Sequence, residues 1–158
     1  MDYMSFINLD LESDWYQSMC ALHSTIFRPQ GTDAIEEELS SKPNFLILVA
    51  LANQQVVGYK IGYQERRTRF YSWLGGVHPE YRGQGIASEL MLRQHEWCRS
   101  QGYTVVRTQT KNKWRSMLIL NLRHGFDVVG TYTDKHGEPK IILEKRIESS
   151  ALHPDNGR

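Results

Sequence analysis

The sequence predicts an α/β (α+β) protein in which helices cover a mixed sheet. Three observations carry that reading. Apolar residues recur at helical spacing in some segments and fill short continuous or alternating runs in others. The order of types is helices, then an antiparallel meander, then strand–helix–strand–helix–strand–strand. A glycine-bearing turn, Arg82-Gly83-Gln84-Gly85, also stands between a strand and the helix after it. In open α/β sheets that edge is where ligands bind.

Each element has its own signal. Residues 14–27 place Trp15, Met19, Cys20, Leu22 and Ile26 at helical spacing, with Ser13 or Asp14 as the cap. Residues 33–41 read as a short acidic helix ending near Pro43. "FLILVAL" (45–51) is a continuous apolar run, as in a strand buried on both faces. Asn53-Gln54 turns the chain into "VVGYKIGY" (56–63), where Tyr59, Ile61 and Tyr63 share one face. "RFYSWLGGV" (69–77) is the next strand. Helix 83–101 carries Ile86, Ala87, Leu90, Met91, Trp97 and Cys98 on one stripe and stops at Gly102. "YTVVRTQT" (103–110) is a strand, and Asn112 opens a helix that runs to His124 and stops at Gly125. "FDVVGTY" and "KIILEKRI" close the chain as a hairpin around "TDKHGEP". Residues 1–148 are expected to form a single domain, and the polar tail 149–158 to be disordered.

Composition narrows the function. A net charge of +1 argues against a nucleic-acid binder, which would show a strong basic excess. No apolar run approaches the ~20 residues needed to span a bilayer. The N-terminus has no basic stretch followed by an apolar one, so a cytoplasmic protein with no membrane partner is the expectation. Cys20 and Cys98 sit singly in helical patterns and read as buried thiols, with no metal-ligand cluster around them.

The turn at 82–85 asks for a reason, because glycine in a helix's first turn costs about 1 kcal/mol against alanine. The first amides of a helix lack internal partners, and the helix dipole adds positive charge there. A phosphate is stabilised at such a place. Gly83 and Gly85 would let it approach the backbone, and Arg82 would add a guanidinium. A nucleotide-hydrolase phosphate loop needs Gly-Lys-Ser/Thr, which the chain lacks. A dinucleotide fingerprint needs a third glycine where Ser88 stands, and an acid that residues 104–114 do not supply.

The stretch from Val77 through Pro79, Arg82, Gly85 and Ala87 resembles motif A of the GNAT N-acetyltransferase superfamily, Arg/Gln-x-x-Gly-x-Gly/Ala. "NKWRSMLILNLRHGF" (112–126) is similar to motif B, where an Asn opens the last helix and Gly-Phe closes it. The element order agrees from about residue 5 to residue 147. The resemblance implies a GNAT fold: a mixed, mostly antiparallel sheet of six to seven strands with about four helices, splayed at the central parallel pair. It implies acetyl-CoA as cosubstrate, no metal, and direct transfer to a primary amine of a small molecule or a protein. The same fold can also serve as a non-catalytic acyl-CoA sensor or interaction domain, and it is compatible with a homodimer. The cofactor-binding positions carried over are Gly76, Val77, Arg82, Gly83, Gln84, Gly85, Ile86, Ala87, Ser88, Asn112, Ser116 and Asn121. The pyrophosphate would lie on the amides of residues 83–88. The pantetheine arm would pair with backbone near Gly76 and Val77 as an added strand does. An amide at a bulge there would face the thioester oxygen.

The proton path is where this chain departs from its relatives. They often place a Glu on the strand that is "RFYSWLGGV" here, and this strand has no acid. Tyr71, Trp73 and Gly75 alternate onto one face, which makes Tyr71 a candidate catalytic residue. A tyrosine pKa of about 10 makes it a poor base unless shifted. Glu65 at the preceding strand end and His78 beside Val77 are further candidates. Many relatives carry a tyrosine that protonates the leaving thiolate where this chain has Asn121. Asn121 follows Met117 and Leu118 on the inward stripe, and its amide would hydrogen-bond the CoA arm. Tyr132 in the closing hairpin is a substitute acid. Glu36, Glu37 and Glu38 read as a solvated helix face, or as acids that attract a cationic amine.

Overall fold

The computed structural model describes residues 1–27 and 33–148; the expected disordered tail, 149–158, lies outside the described residues. The chain runs β1 (Asp2–Phe6), α1 (Asp14–Phe27), α2 (Asp33–Ser40), β2 (Leu46–Ala52), β3 (Gln55–Arg66) and β4 (Arg69–Val77). A 3-10 turn, Pro79–Tyr81, leads to α3 (Ile86–Ser100). Then come β5 (Val105–Lys111), α4 (Arg115–Arg123), β6 (Asp127–Thr133) and β7 (Pro139–Arg146). The strands form one seven-stranded sheet in the order β1-β2-β3-β4-β5-β7-β6. β4 and β5 run parallel, while β1–β2, β2–β3, β5–β7 and β6–β7 are antiparallel. The mixed sheet and four helices meet the expectation. β1 went unassigned in the sequence because its five residues, Asp-Tyr-Met-Ser-Phe, are too few to show a clear period, and it lies mostly exposed at a sheet edge.

Two compact units divide the chain. The first holds Met1–Gln64 and Trp73–Gln94. Its centre is β2, whose Leu46–Ala50 are buried on both faces, and β3, buried from Val56 to Tyr63. Asn53 and Gln54, with φ of 50° and 64°, make the two-residue turn that matches strand twist between them. On one face, α1 lays Tyr16, Met19, Cys20, Leu22 and His23 into the core. Its cap is Ser13, whose Oγ accepts from the Tyr16 amide at 3.4 Å. On the other face, Gly58 has no side chain because Ile86 of α3 occupies the space: an added Cβ would stand 2.8 Å from Ile86 Cγ2.

The second unit holds Glu65–Ser72 and the chain from His95 onward. In it the parallel ladder runs from Arg69 opposite Val105 to Ser72 opposite Thr108. Phe70, fully buried, packs on Trp97 and Tyr103 with ring centroids 5.4 Å away in each case. Arg69 and Arg107 converge on Glu144, and Arg69 also pairs with Glu65 at 2.5 Å. Both helices here end as the glycines foretold. The Tyr103 amide returns to Cys98 O past Gly102, and the Phe126 amide returns to Asn121 O past Gly125. Each glycine has φ near 90°, the left-handed step that closes a helix.

Two helix starts need correction. α3 begins at Ile86 and not at 83, because Gly83 and Gly85 have φ of 77° and 82°, outside helical space. α4 begins at Arg115 and not at Asn112, since Lys111 O takes the Trp114 amide in a turn that precedes it. Gly83 and Asn112 are therefore loop residues.

Candidate phosphate-binding loop and acyl-transfer residues

In the first unit, the end of β4 and the start of α3 build a loop of exposed backbone. The His78 amide bonds Val57 O at 2.7 Å, which fixes the strand end against β3. Proline follows, and the Glu80 amide donates to His78 Nδ1 at 3.1 Å. His78 thus caps the 3-10 turn, the structural role a loop histidine ordinarily fills. Arg82 folds back so that its Nε donates to Val77 O at 3.1 Å. Its remaining guanidinium nitrogens lie beyond that bond, on an exposed side chain.

Gly83 and Gly85 both carry positive φ, and no heavy atom lies within 4 Å of where a Cβ would stand on either. The glycines are required by conformation, and the space beside them is open. Gly85 O accepts the Glu89 amide at 3.0 Å, the first helical bond. The first turn of α3 precedes it, where a helix supplies no acceptor of its own. Buried Ile86 anchors this end of α3, while Arg82, Gly83, Gln84 and Gly85 stay exposed. The loop is polar and exposed. A Cβ at either glycine would project into that open space.

Gly76 and Val77 end β4 half-buried. A Cβ on Gly76 would meet Ile26 Cδ1 at 2.8 Å and Tyr59 Cε1 at 3.2 Å. The backbone here lies directly on a buried pair that sequence reasoning missed. His23 Nδ1 and the Tyr59 hydroxyl are hydrogen-bonded at 2.5 Å. Burial lowers the His23 pKa, so the imidazole is held neutral. Burial raises the Tyr59 phenol well above its usual value. Lys60, on the opposite face of β3, was also missed. It is 8 % exposed, and burial lowers its pKa from 10.5 to about 8. The signal was present in "GYKIG": a lysine at an inward position between glycines is out of place on a strand buried on both faces.

The second unit holds the other expected positions. Tyr71 is half-buried in β4 opposite Arg107. Asn112 and Ser116 are exposed before and within the first turn of α4. Asn121 is buried at 2 % exposure, as its stripe required. Tyr132 donates its hydroxyl proton to Gln109 Oε1 at 2.7 Å, at an exposed position. Glu65 is engaged by Arg69. In the first unit, Glu38 pairs with Lys42 at 3.2 Å. Cys20 and Cys98 are buried free thiols. Among the described residues, no group of three or more His, Cys, Asp or Glu could hold a metal ion.

The family model described as "Acetyltransferase (GNAT) family" matches residues 12–117. Among curated proteins, no sequence match is found. Solved structures share the fold at low identity. The aminoglycoside 6'-N-acetyltransferase from Enterococcus faecium is 16% identical, with a TM-score of 0.79 over 98% of this chain and 100% of that one. The ribosomal-protein-S18-alanine N-acetyltransferase from Escherichia coli is 13% identical, with a TM-score of 0.76 over 98% of each chain. The NatC complex bound to Gag peptide and CoA contributes a chain 18% identical, with a TM-score of 0.73 over 93% of this chain and 99% of that one.

Proposed function

The chain belongs to the GNAT acetyltransferase family, and from that premise we propose that it is an acetyl-CoA-dependent N-acetyltransferase acting on a primary amine in the cytoplasm. The observation that carries the reading is the pair of positive-φ glycines opening onto the start of α3 with nothing in front of them. Open backbone at the start of a helix suits the pyrophosphate of a coenzyme A ester. The CoA-bound NatC structure supports the same ligand.

The residues then have distinct tasks. The amides of Ile86, Ala87 and Ser88 and the Arg82 guanidinium hold the pyrophosphate. The backbone of Gly76 and Val77 receives the pantetheine arm by strand-like pairing. A backbone amide at this end of β4 stabilises the charge that develops on the thioester oxygen. A neutral amine attacks the carbonyl carbon, the C–N bond forms and the C–S bond breaks. Catalysis of this kind comes from position, a proton acceptor and an oxyanion donor.

Thiol release from acetyl-CoA over a panel of primary amines tests the proposal. Release that depends on both amine and protein is the expected result. Tight acetyl-CoA binding by calorimetry without thiol release from any amine would refute catalysis. It would leave the acyl-CoA sensor.

A further inference from the structure

Lys60 has no evident structural use. It stands in the middle of β3, opposite Leu48 of β2, on the face that also carries Gly58 and Gly62. From α3, Ile86 and Leu90 cover that face at Gly58. From β4, Gly75 is its neighbour. The Cγ of Lys60 lies 3.7 Å from where a Gly75 Cβ would stand, and the Cα lies 3.9 Å away. The lysine stem therefore leans over β4 in the space that a side chain at 75 would fill. Leu48, Ile86, Leu90 and the glycines are not titratable, and no charged group contributes to the lysine's altered basicity; desolvation alone causes it. No described carboxylate pairs with it, whereas Lys42, Lys111 and Lys113 each have one. Burial of the lysine stem desolvates the amine at its end, at a cost to folding. Gly75 precedes Gly76 and Val77, where the thioester is to lie.

Resting on the acetyltransferase reading, we propose that Lys60 is a catalytic residue, the proton shuttle of the acetyl transfer. As the acceptor nitrogen bonds to the carbonyl carbon, its surplus proton passes to Lys60 Nζ. As the C–S bond breaks, the same proton passes from Nζ to the departing sulfur. The products are an amide and the free thiol of CoA, and Lys60 returns neutral. One side chain thereby fills two vacancies, the acid missing from β4 and the tyrosine replaced by Asn121. Burial supports the role: with a pKa of about 8, the amine is a base matched to neutral operating conditions.

The test compares the intact protein with Lys60→Met and Lys60→Arg. The acceptor panel includes a hydrazide, whose nitrogen stays neutral over the working range, so that any ionisation seen in kcat belongs to the protein. For the parent, kcat should rise with pH and level off near pH 8. Both variants should lose about a hundredfold or more in kcat and lose that limb, with the calorimetric acetyl-CoA affinity within about threefold. Met matches the lysine stem and removes a buried charge, so Lys60→Met should fold at least as well, which its melting temperature reports. Active parent and equally active Lys60→Met would overturn the shuttle and leave the transferase standing. Loss of acetyl-CoA binding in Lys60→Met would also overturn it, showing a structural role. A parent that releases no thiol with any amine overturns both readings.

Discussion

Asn121 illustrates how a single residue can be legible in position and ambiguous in purpose. Its place on the inward stripe of α4 followed from spacing, and the side chain is indeed buried. Its carbonyl closes the helix by accepting the amides of His124 and Phe126 at 3.2 and 3.0 Å. An amide cannot serve as a general acid near neutral pH. Asn121→Ala should therefore weaken acetyl-CoA binding more than it slows turnover. A hundredfold fall in kcat with unchanged KM for acetyl-CoA would refute this and assign Asn121 to the transition state. The two buried bases set a pH dependence of stability. His23 has a lowered folded pKa, so below about 6.5 the unfolded chain binds a proton that the folded chain refuses, and stability falls with pH. Lys60 is shifted from 10.5 to about 8. Its cost is full below 8 and disappears as pH rises to 10.5, because only the unfolded chain is protonated between those values. The shift corresponds to about 3 kcal/mol. Denaturant midpoints should show Lys60→Met more stable than the parent at pH 7 by up to that amount, the gap closing toward pH 10.5. A constant gap would contradict the assignment.

At the scale of elements, most of the chain could be read from period and punctuation. The buried run at 45–51, the hairpin turn at Asn53-Gln54 and the stops at Gly102 and Gly125 are all present. Each rests on local chemistry that tertiary packing reinforces. β1 was not legible, since a five-residue edge strand shows no clear period and pairs on one side only, as Tyr3 does with Ala50. The start of α3 was misplaced because a periodic stripe says where a helix faces, not where its backbone first turns helical. The loop residues themselves were legible, since glycine, arginine and proline at fixed spacing describe backbone geometry. The His23–Tyr59 pair and Lys60 were not, because such partners meet only through the register of sheet and helix. The helix terminus yields a sharp prediction. Gly85→Asp places a Cβ and a negative charge at a φ of 82°, strained for any side chain and repulsive to phosphate. Calorimetry should show acetyl-CoA affinity reduced by about a hundredfold or more, some 3 kcal/mol. Unchanged affinity would dismiss the phosphate assignment.

For the whole molecule, the solved structures at 13 to 18% identity establish the fold. No helix among the described residues is long and apolar enough to cross a membrane. What can be tested globally is ligand linkage. Acetyl-CoA at roughly 100 times its dissociation constant should stabilise the native state by about 2.7 kcal/mol if it binds only that state. For a domain of this size the melting temperature should then rise by roughly 5 to 10 °C. No shift at millimolar acetyl-CoA would count against the transferase and the sensor alike.

The two cysteines have a consequence for measurement. Cys20 lies in the first compact unit and Cys98 in the second, both buried and both with raised pKa. A disulfide reagent used to count released CoA should thus meet little background from native protein, since the attacking species is the exposed thiolate. The same reagent becomes a clock when the protein is left in it. Each sulfur reacts only when its own surroundings open, so the two labelling rates time the opening of the two units separately. Adding acetyl-CoA and watching which sulfur slows would show which unit the ligand holds shut.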